Sequence, residues 1–190
     1  MAIKDILVGA PVTATGGIMH ADVGTIFPET VRDAWSDDWE KGGYVGEDGV
    51  TRTIDASDDK IRAWGGGVVK VVRTEHSVSY TLQFLEARNA DTLKLLFGED
   101  HVTIAGEDIT VDLTGDQVPR RAFGLDMRDG DYKVREFIYD GQPSLSGDVA
   151  FVHSDVIRYE VTIEAFENEE GVKARSKSGL ATVEPERPGE

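Results

Sequence analysis

The residues able to carry acid–base or metal chemistry do not fall into a recognised site. The four histidines lie in unlike contexts, and none has a second histidine at metal-ligand spacing: His20, His76, His101 and His153. The acidic stretch at residues 55–59 invites comparison with a calcium loop. Its sixth position is Lys60 and its twelfth is Gly66, where such a loop needs glycine and glutamate. We therefore predict no metal site.

Nucleophilic and phosphate-binding patterns are missing from the sequence as well. There is no G-x-S-x-G elbow, and the glycine triplet at residues 65–67 is not followed by Lys-Ser/Thr. The chain has no cysteine, which excludes a thiol nucleophile, a cysteine-based zinc site and a disulfide scaffold. With 36 acidic residues, neighbouring carboxylates do not mark an acid–base pair. We predict no catalytic residue, no cofactor and no enzymatic activity.

Composition indicates one acidic globular domain. The chain has 190 residues, a formal net charge of −16 and 39% hydrophobic residues. Such a charge argues against holding nucleic acid by neutralising phosphates. No apolar run approaches the ~20 residues of a membrane helix, and the N-terminus lacks the pattern of a secretory signal. We expect no membrane association.

Alternating side chains predict a mainly β fold. Residues 76–86 place apolar side chains on one face and Ser77, Ser79, Thr81 and Gln83 on the other. Residues 156–166 alternate in the same way, with Arg158, Glu160, Thr162 and Glu164 on the polar face. The β-branched stretch at residues 68–74 is predicted to be the hairpin partner of residues 76–86.

One segment predicts a helix, and three others predict extensions or loops. Residues 89–98 begin with an N-cap asparagine and end at a glycine, with Ala90, Leu93, Leu96 and Phe97 at helical spacing. We expect an N-terminal arm at residues 1–30, a β domain at 31–168 and a C-terminal extension at 169–190. Within the domain, residues 41–67 predict a long loop. Its Trp64 is either an interface anchor or a core tryptophan.

Several segments in a fixed order carry a family resemblance. They are Trp39, GYVGEDGV at residues 43–50, IRAWGG at 61–66, VVRTEHSVSYTLQFLEA at 71–87 and IRYEVTIEAF at 157–166. Over residues 35–168 the chain resembles the major tail (tail tube) proteins of long-tailed, non-contractile bacteriophages, the siphophages, especially those of actinobacterial hosts. The resemblance implies a β-sandwich or small barrel with one short flanking α-helix.

The resemblance also implies a function. Such subunits form hexameric rings whose inner sheets join into one β-barrel, and the rings stack into a tube through which phage DNA passes without specific binding. The implied partners are other copies of the chain, a tape measure protein, and tail terminator and distal tail proteins. The implied location is the virion, after assembly in the host cytoplasm.

Two residue sets are expected to serve this assembly. Contacts between subunits are predicted for Tyr44, Val45, Val50, Ile54, Ile61 and Trp64. Side chains that face either the lumen or the outer solvent are Ser77, Ser79, Thr81, Gln83, Glu160, Thr162 and Glu164.

Other functions on a similar fold stay open at the level of sequence. One is a tail terminator, a distal tail ring or an injection-system tube. Another is a β-sandwich carbohydrate-binding module that would use Trp35, Trp39 and Tyr44.

Overall fold

A computed structural model describes residues 6–15 and 17–182. These residues form a mainly β fold with one α-helix, α1 (Ala90–Phe97), followed by a short 3-10 turn. The strands, in chain order, are β1 (Ile18–Asp22), β2 (Glu40–Lys41), β3 (Val45–Arg62), β4 (Val68–Phe84), β5 (Val102–Ala105), β6 (Asp108–Val111), β7 (Arg121–Asp129), β8 (Tyr132–Leu145), β9 (Tyr159–Phe166) and β10 (Ala174–Leu180). The predicted fold class is confirmed.

Most strands belong to one antiparallel sheet in the order β2-β1-β7-β8-β9-β4-β3. Strand β8 takes part in both layers of the fold, because its two halves pair with different strands. Its first half pairs with β10, from Tyr132↔Leu180 to Ile138↔Ala174, and its second half pairs with β9 along the same edge. The sheet divides at this point, and its two parts fold over one core. Strands β5 and β6 form a separate hairpin.

The core lies between the two layers, and α1 covers one end of it. The apolar face of β4 supplies Tyr80, Leu82 and Phe84, and α1 supplies Leu95 and Leu96. The other buried members are Ile18, Val78, Phe123, Leu125, Ile138, Val161, Ile163 and Ala165. Removing these side chains from water is the main driving force for the fold. The predicted alternation is confirmed in the second half of β4, where residues 78, 80, 82 and 84 are buried, and in β9, where residues 161, 163 and 165 are buried. His76, predicted on the same apolar face, is exposed because β4 extends beyond the core at that point.

The predicted helix is confirmed, including its ends. The Asn89 side chain accepts hydrogen bonds from the backbone N–H groups of Asp91 and Thr92, and Gly98 ends the helix at a φ of 92°. Leu95 is buried as well, although the sequence analysis did not place it on the apolar face.

A second, smaller cluster covers the outer face of β1 and β7. Trp39 is buried there against Met19 and Ala122, and Trp35 packs beside it with a ring-centroid separation of 4.7 Å. Gly124 allows this packing, since a Cβ at that position would lie 2.2 Å from the Trp35 ring. These two tryptophans are therefore structural, which removes most of the aromatic surface expected for carbohydrate binding.

The limits between the predicted arm, domain and extension stay a prediction, although each terminal region contributes one strand to the sheet. Strand β1 lies inside the predicted arm and pairs with β7, and β10 lies inside the predicted extension and pairs with β8. Both join partners far away in sequence, so local patterns did not show them. The parts of the arm and extension at residues 1–5, 16 and 183–190 lie outside the described residues.

Two further predictions differ from the structure. Most of residues 41–67 form a strand instead of a loop, and residues 68–74 are not a separate hairpin partner of residues 76–86. Residues 45–62 are strand β3, which forms a long hairpin with β4. Residues 68–84 are one continuous strand, because the chain has a β-bulge near Arg73 where the prediction placed a turn. The turn lies instead at the glycine triplet, where the Ala63 N–H donates to the Gly67 carbonyl.

Candidate assembly surfaces

Four strands place polar side chains on one continuous face, named here the polar face. The register Ser79↔Glu164, Thr81↔Thr162 and Gln83↔Glu160 aligns the polar rows of β4 and β9. Directly paired residues of antiparallel strands lie on the same side of a sheet, so β3 and β8 extend this face on either side. Its members are Thr51, Thr53, Asp55, Ser77, Ser79, Thr81, Gln83, Gln142, Ser144, Glu160, Thr162 and Glu164.

The seven side chains predicted to face lumen or solvent thus lie together. Sequence reasoning missed the contributions of β3 and β8, because strand register across the sheet cannot be read from local alternation. The residues it missed are Thr51, Thr53, Asp55, Gln142 and Ser144. That the face lines a lumen stays a prediction.

Hydrogen bonds between neighbouring strands order the centre of the polar face. The hydroxyl oxygens of Thr81 and Thr162 are 3.3 Å apart, and Gln83 Nε2 donates to Glu160 at 3.4 Å. The Ser144 hydroxyl donates to the Thr162 carbonyl at 3.2 Å. These bonds join side chains to one another and to the backbone along the sheet, and they leave a hydrophilic surface.

The charge of the polar face is negative. Asp55, Glu160 and Glu164 are its ionisable members, and none of the set is basic. Arg158 approaches the end of the face, where its Nη1 donates to Gln83 Oε1 at 3.3 Å, but its guanidinium is also paired with Asp155. A surface of this kind repels phosphate groups.

Both edges of this four-stranded region are open. Strand β3 pairs only with β4, and β7 reaches along β8 no further than Gly141. Within the described residues, no strand therefore pairs with the outer edge of β3 or with the outer edge of β8 beyond Gly141. Open edges carry unpaired N–H and C=O groups that favour pairing with another chain.

The outer part of the β3–β4 hairpin projects from the domain. Residues 51–62 of β3 are exposed, as are nearly all residues of β4 before Ser77. Ten residues of extended strand correspond to about 30 Å of projection. Trp64, at the turn, is fully exposed. A fully exposed tryptophan on a projecting element is the kind of side chain that anchors protein interfaces.

The end of this hairpin differs in charge from the rest of the chain. Residues 60–73, named here the hairpin tip, contain four basic residues and no acidic one, in a chain with a net charge of −16. Arg73 pairs with Asp58, with an Nε–Oδ1 distance of 3.2 Å. Val68, Val69 and Val71 are also exposed, so the hairpin tip is both basic and apolar.

The residues predicted for contacts between subunits divide into two groups. Ile54, Ile61 and Trp64 are exposed on the hairpin, and Tyr44 is exposed just before β3. Val45 and Val50 instead pack partly against the core of their own chain. Whether any of them contacts another subunit stays a prediction.

A cavity of about 680 Å³ opens between residues 9–14, Gly17, the start of β3, and strands β7 and β8. On its wall the Tyr80 hydroxyl donates to Glu136 Oε2 at 3.0 Å, and Arg52 Nη1 lies 3.0 Å from Glu136 Oε1. Burial and the neighbouring Glu136 carboxylate raise the pKa of Tyr80, and the same carboxylate raises the pKa of Arg52. Tyr80 and Arg52 therefore both keep their protons at pH 7 and remain hydrogen-bond donors to Glu136.

His20 is the buried histidine of β1. Burial, with a smaller contribution from the positive charge of Arg121, lowers its pKa from 6.5 to about 4. The ring is therefore neutral at pH 7 and serves packing.

The part of the chain that the structure describes offers neither a membrane-spanning helix nor a metal-binding cluster. No helix there is long and apolar enough to cross a membrane. The described residues also contain no group of three or more histidine, aspartate or glutamate side chains arranged to hold a metal ion.

Comparison with known proteins gives one family match. A family model described as "Phage tail tube protein" matches residues 6–175. No curated protein sequence matches the chain.

Two solved structures match most of the chain at TM-scores below 0.5. One is the tube-terminating cap of the anti-feeding prophage, with 9% identity, a TM-score of 0.47, and 94% of this chain and 100% of that chain covered. Another is a chain of the sheath–tube complex of an extracellular contractile injection system, PVC, in its extended state. It has 11% identity, a TM-score of 0.42, and 95% and 99% of the two chains covered.

Proposed function

Because the chain belongs to the phage tail tube protein family, we propose that it forms hexameric rings that stack into a hollow tail tube and deliver phage DNA to the host. Its role is structural and its location is the virion. We propose no enzymatic activity. The resemblance of residues 35–168 further supports a non-contractile siphophage of an actinobacterial host.

The observation that carries the proposal is the polar face with its two open edges. Pairing the β3 edge of one copy with the β8 edge of the next joins the four strands of each copy into a continuous sheet. Repeating that contact around a ring closes the sheet into a barrel and removes both of these open edges. Such a contact is heterologous, which is the type that generates closed rings.

Side-chain direction supports placing the polar face toward the lumen. The apolar face of β4 and β9 is already buried under α1 and the second layer, so the polar face is the one left for the lumen. Asp55, Glu160 and Glu164 repeat in every copy, and they give the channel a negative charge. DNA passes such a wall without adhering, because its phosphates are repelled.

The projecting hairpin is proposed to contact neighbouring copies, with Ile54, Ile61 and Trp64 as its apolar side chains. The tape measure protein is proposed to occupy the lumen before DNA does. The tail terminator and distal tail proteins are proposed to cover the two ends of the tube.

Electron microscopy of the purified protein over a range of concentrations tests the proposal. We expect hollow tubes with a regular axial repeat. Single rings that never stack would indicate a terminator or a distal ring instead. Monomers at every concentration would contradict self-assembly.

Two proline variants test the edge pairing directly. The backbone N–H groups of neighbouring residues in β3 point in opposite directions, one toward β4 and the next toward the open edge. Of Thr53→Pro and Ile54→Pro, one therefore removes a hydrogen bond to β4, and the other removes a donor from the open edge and blocks pairing there. We expect the edge-blocking variant to keep the circular dichroism of the folded monomer and to form no tubes. Normal tubes from both variants would show that β3 is not an assembly edge.

A further inference from the structure

The hairpin tip has the composition of a docking element. Trp64 is fully exposed and its neighbours Val68 and Val69 are largely exposed. Arg73 is paired with Asp58, which leaves Lys60, Arg62 and Lys70 without an ion-pair partner among the described residues. The hairpin tip is therefore complementary to a surface that is apolar and negatively charged.

The cavity beside the start of β3 has those properties. Its walls include Val50, Leu125 and Met127, and Glu47 and Asp48 lie exposed at its rim. Its one basic side chain, Arg52, is already paired with Glu136 inside the cavity. The carboxylates at the rim are therefore available to an incoming positive group, and about 680 Å³ is room enough for an indole ring with its flanking atoms.

We propose that Trp64 of one copy of this chain inserts into this cavity of another copy, with the basic residues of the hairpin tip against Glu47 and Asp48. The proposal rests on the proposed function and identifies one contact within that assembly. The tip cannot fill the cavity of its own chain, because Trp64 and Asp48 lie at opposite ends of β3, about 50 Å apart along an extended strand.

The proposed contact can repeat from one copy to the next. Donor and acceptor are different surfaces of the same chain, so filling one cavity leaves a new tip and a new cavity available. A contact of this type extends an assembly where a self-complementary one would stop at a dimer.

A second cavity fits the hairpin tip less well. It is lined by the aromatic rings of Phe27, Phe137 and Tyr139, and its charged lining residues are Glu29, Asp140, Glu167, Glu169, Arg175 and Lys177. The Arg175 guanidinium and the Lys177 ammonium already lie over the Tyr139 and Phe137 rings, 5.7 and 5.3 Å from the ring centroids, so an incoming indole ring would have to displace them.

Cross-linking tests the contact, helped by the lack of natural cysteines. One variant carries Ala63→Cys and Asp48→Cys, which keeps Trp64 in place. Its matched control carries Ala63→Cys and Glu107→Cys, with the second cysteine at the exposed β5–β6 turn. Under oxidation of assembled protein, we expect a ladder of covalent oligomers from the first variant and at least tenfold less from the control.

Charge exchange tests the same contact by a second route. Replacing Glu47 and Asp48 by lysine should raise the concentration needed for polymerisation at least tenfold. Adding Arg62→Glu and Lys70→Glu should restore it.

The outcomes separate the two proposals. Polymers that give no ladder and no rescue would overturn this contact and leave the tube assignment intact. Failure of the unaltered protein to polymerise would overturn both.

Discussion

Lowering the pH from 7.5 to 5 should destabilise the folded subunit through His20. The side chain is buried in β1, and burial lowers its pKa from 6.5 to about 4. A histidine with a depressed pKa binds protons more readily in the unfolded state, so stability falls as the pH drops below 6.5. The full loss, complete below pH 4, is about 3 kcal/mol, and about 2 kcal/mol of it falls between pH 7.5 and 5.

The groups around His20 do not reverse this direction. The carboxylates of Asp22 and Asp91 favour the protonated ring, and Glu40 Oε2 lies 3.7 Å from Nδ1. Burial outweighs them, and Arg121 adds to it. The Nε2 atom of His20 is buried and has no hydrogen-bond partner among the described residues, so protonation there would leave a charged donor without an acceptor.

Urea denaturation at the two pH values measures the effect in wild type and in His20→Gln, whose side chain does not titrate. We expect the free energy of unfolding of wild type to fall by about 2 kcal/mol more than that of the variant. Carboxylates titrate mainly below this range and affect both proteins alike. Equal losses in the two proteins would refute the argument that His20 is held neutral by burial.

Three further changes test the packing described above, each by urea denaturation. Gly124→Ala places a methyl group against the Trp35 ring, and we expect a loss of about 1–3 kcal/mol; an unchanged midpoint would contradict that close approach. Tyr80→Phe removes a hydrogen-bond donor to the buried carboxylate of Glu136 and should lower the free energy of unfolding by about 1–3 kcal/mol. Unchanged stability would show that Arg52 alone satisfies the carboxylate. Asn89→Ala removes the side chain that caps α1 and should lower the free energy of unfolding by about 1 kcal/mol, less than Asn89→Pro does. No loss would mean that other groups form the cap.

Local patterns predicted the parts of the fold whose surroundings are uniform along an element. Strands β4 and β9 lie between a core and water, so burial alternates with every residue, and that alternation is visible in the sequence. The helix was predictable because Asn89 and Gly98 mark its ends.

The hairpin was not predictable in the same way. Residues 51–62 are exposed on both faces, so no core imposes a periodic pattern on them. Strand β1 was missed because it is short and its partner β7 is far along the chain. Only the part of the polar face on β4 and β9 was predicted, for a related reason. The rows on β4 and β9 follow from alternation, but placing Gln142 and Ser144 beside them depends on the register of β8.

The pairing of β1 with β7 has a consequence for how the protein folds. Ile18 must find Leu125, so the first strand has no place in the sheet until most of the chain has left the ribosome. The β3–β4 hairpin joins neighbouring segments, and such local contacts form early, whereas distant pairings pay a larger loop-closure entropy and form late. The nascent subunit therefore displays the apolar face of β4 before its core is complete. The time spent in that state, which grows as folding slows, sets how often unfinished chains associate.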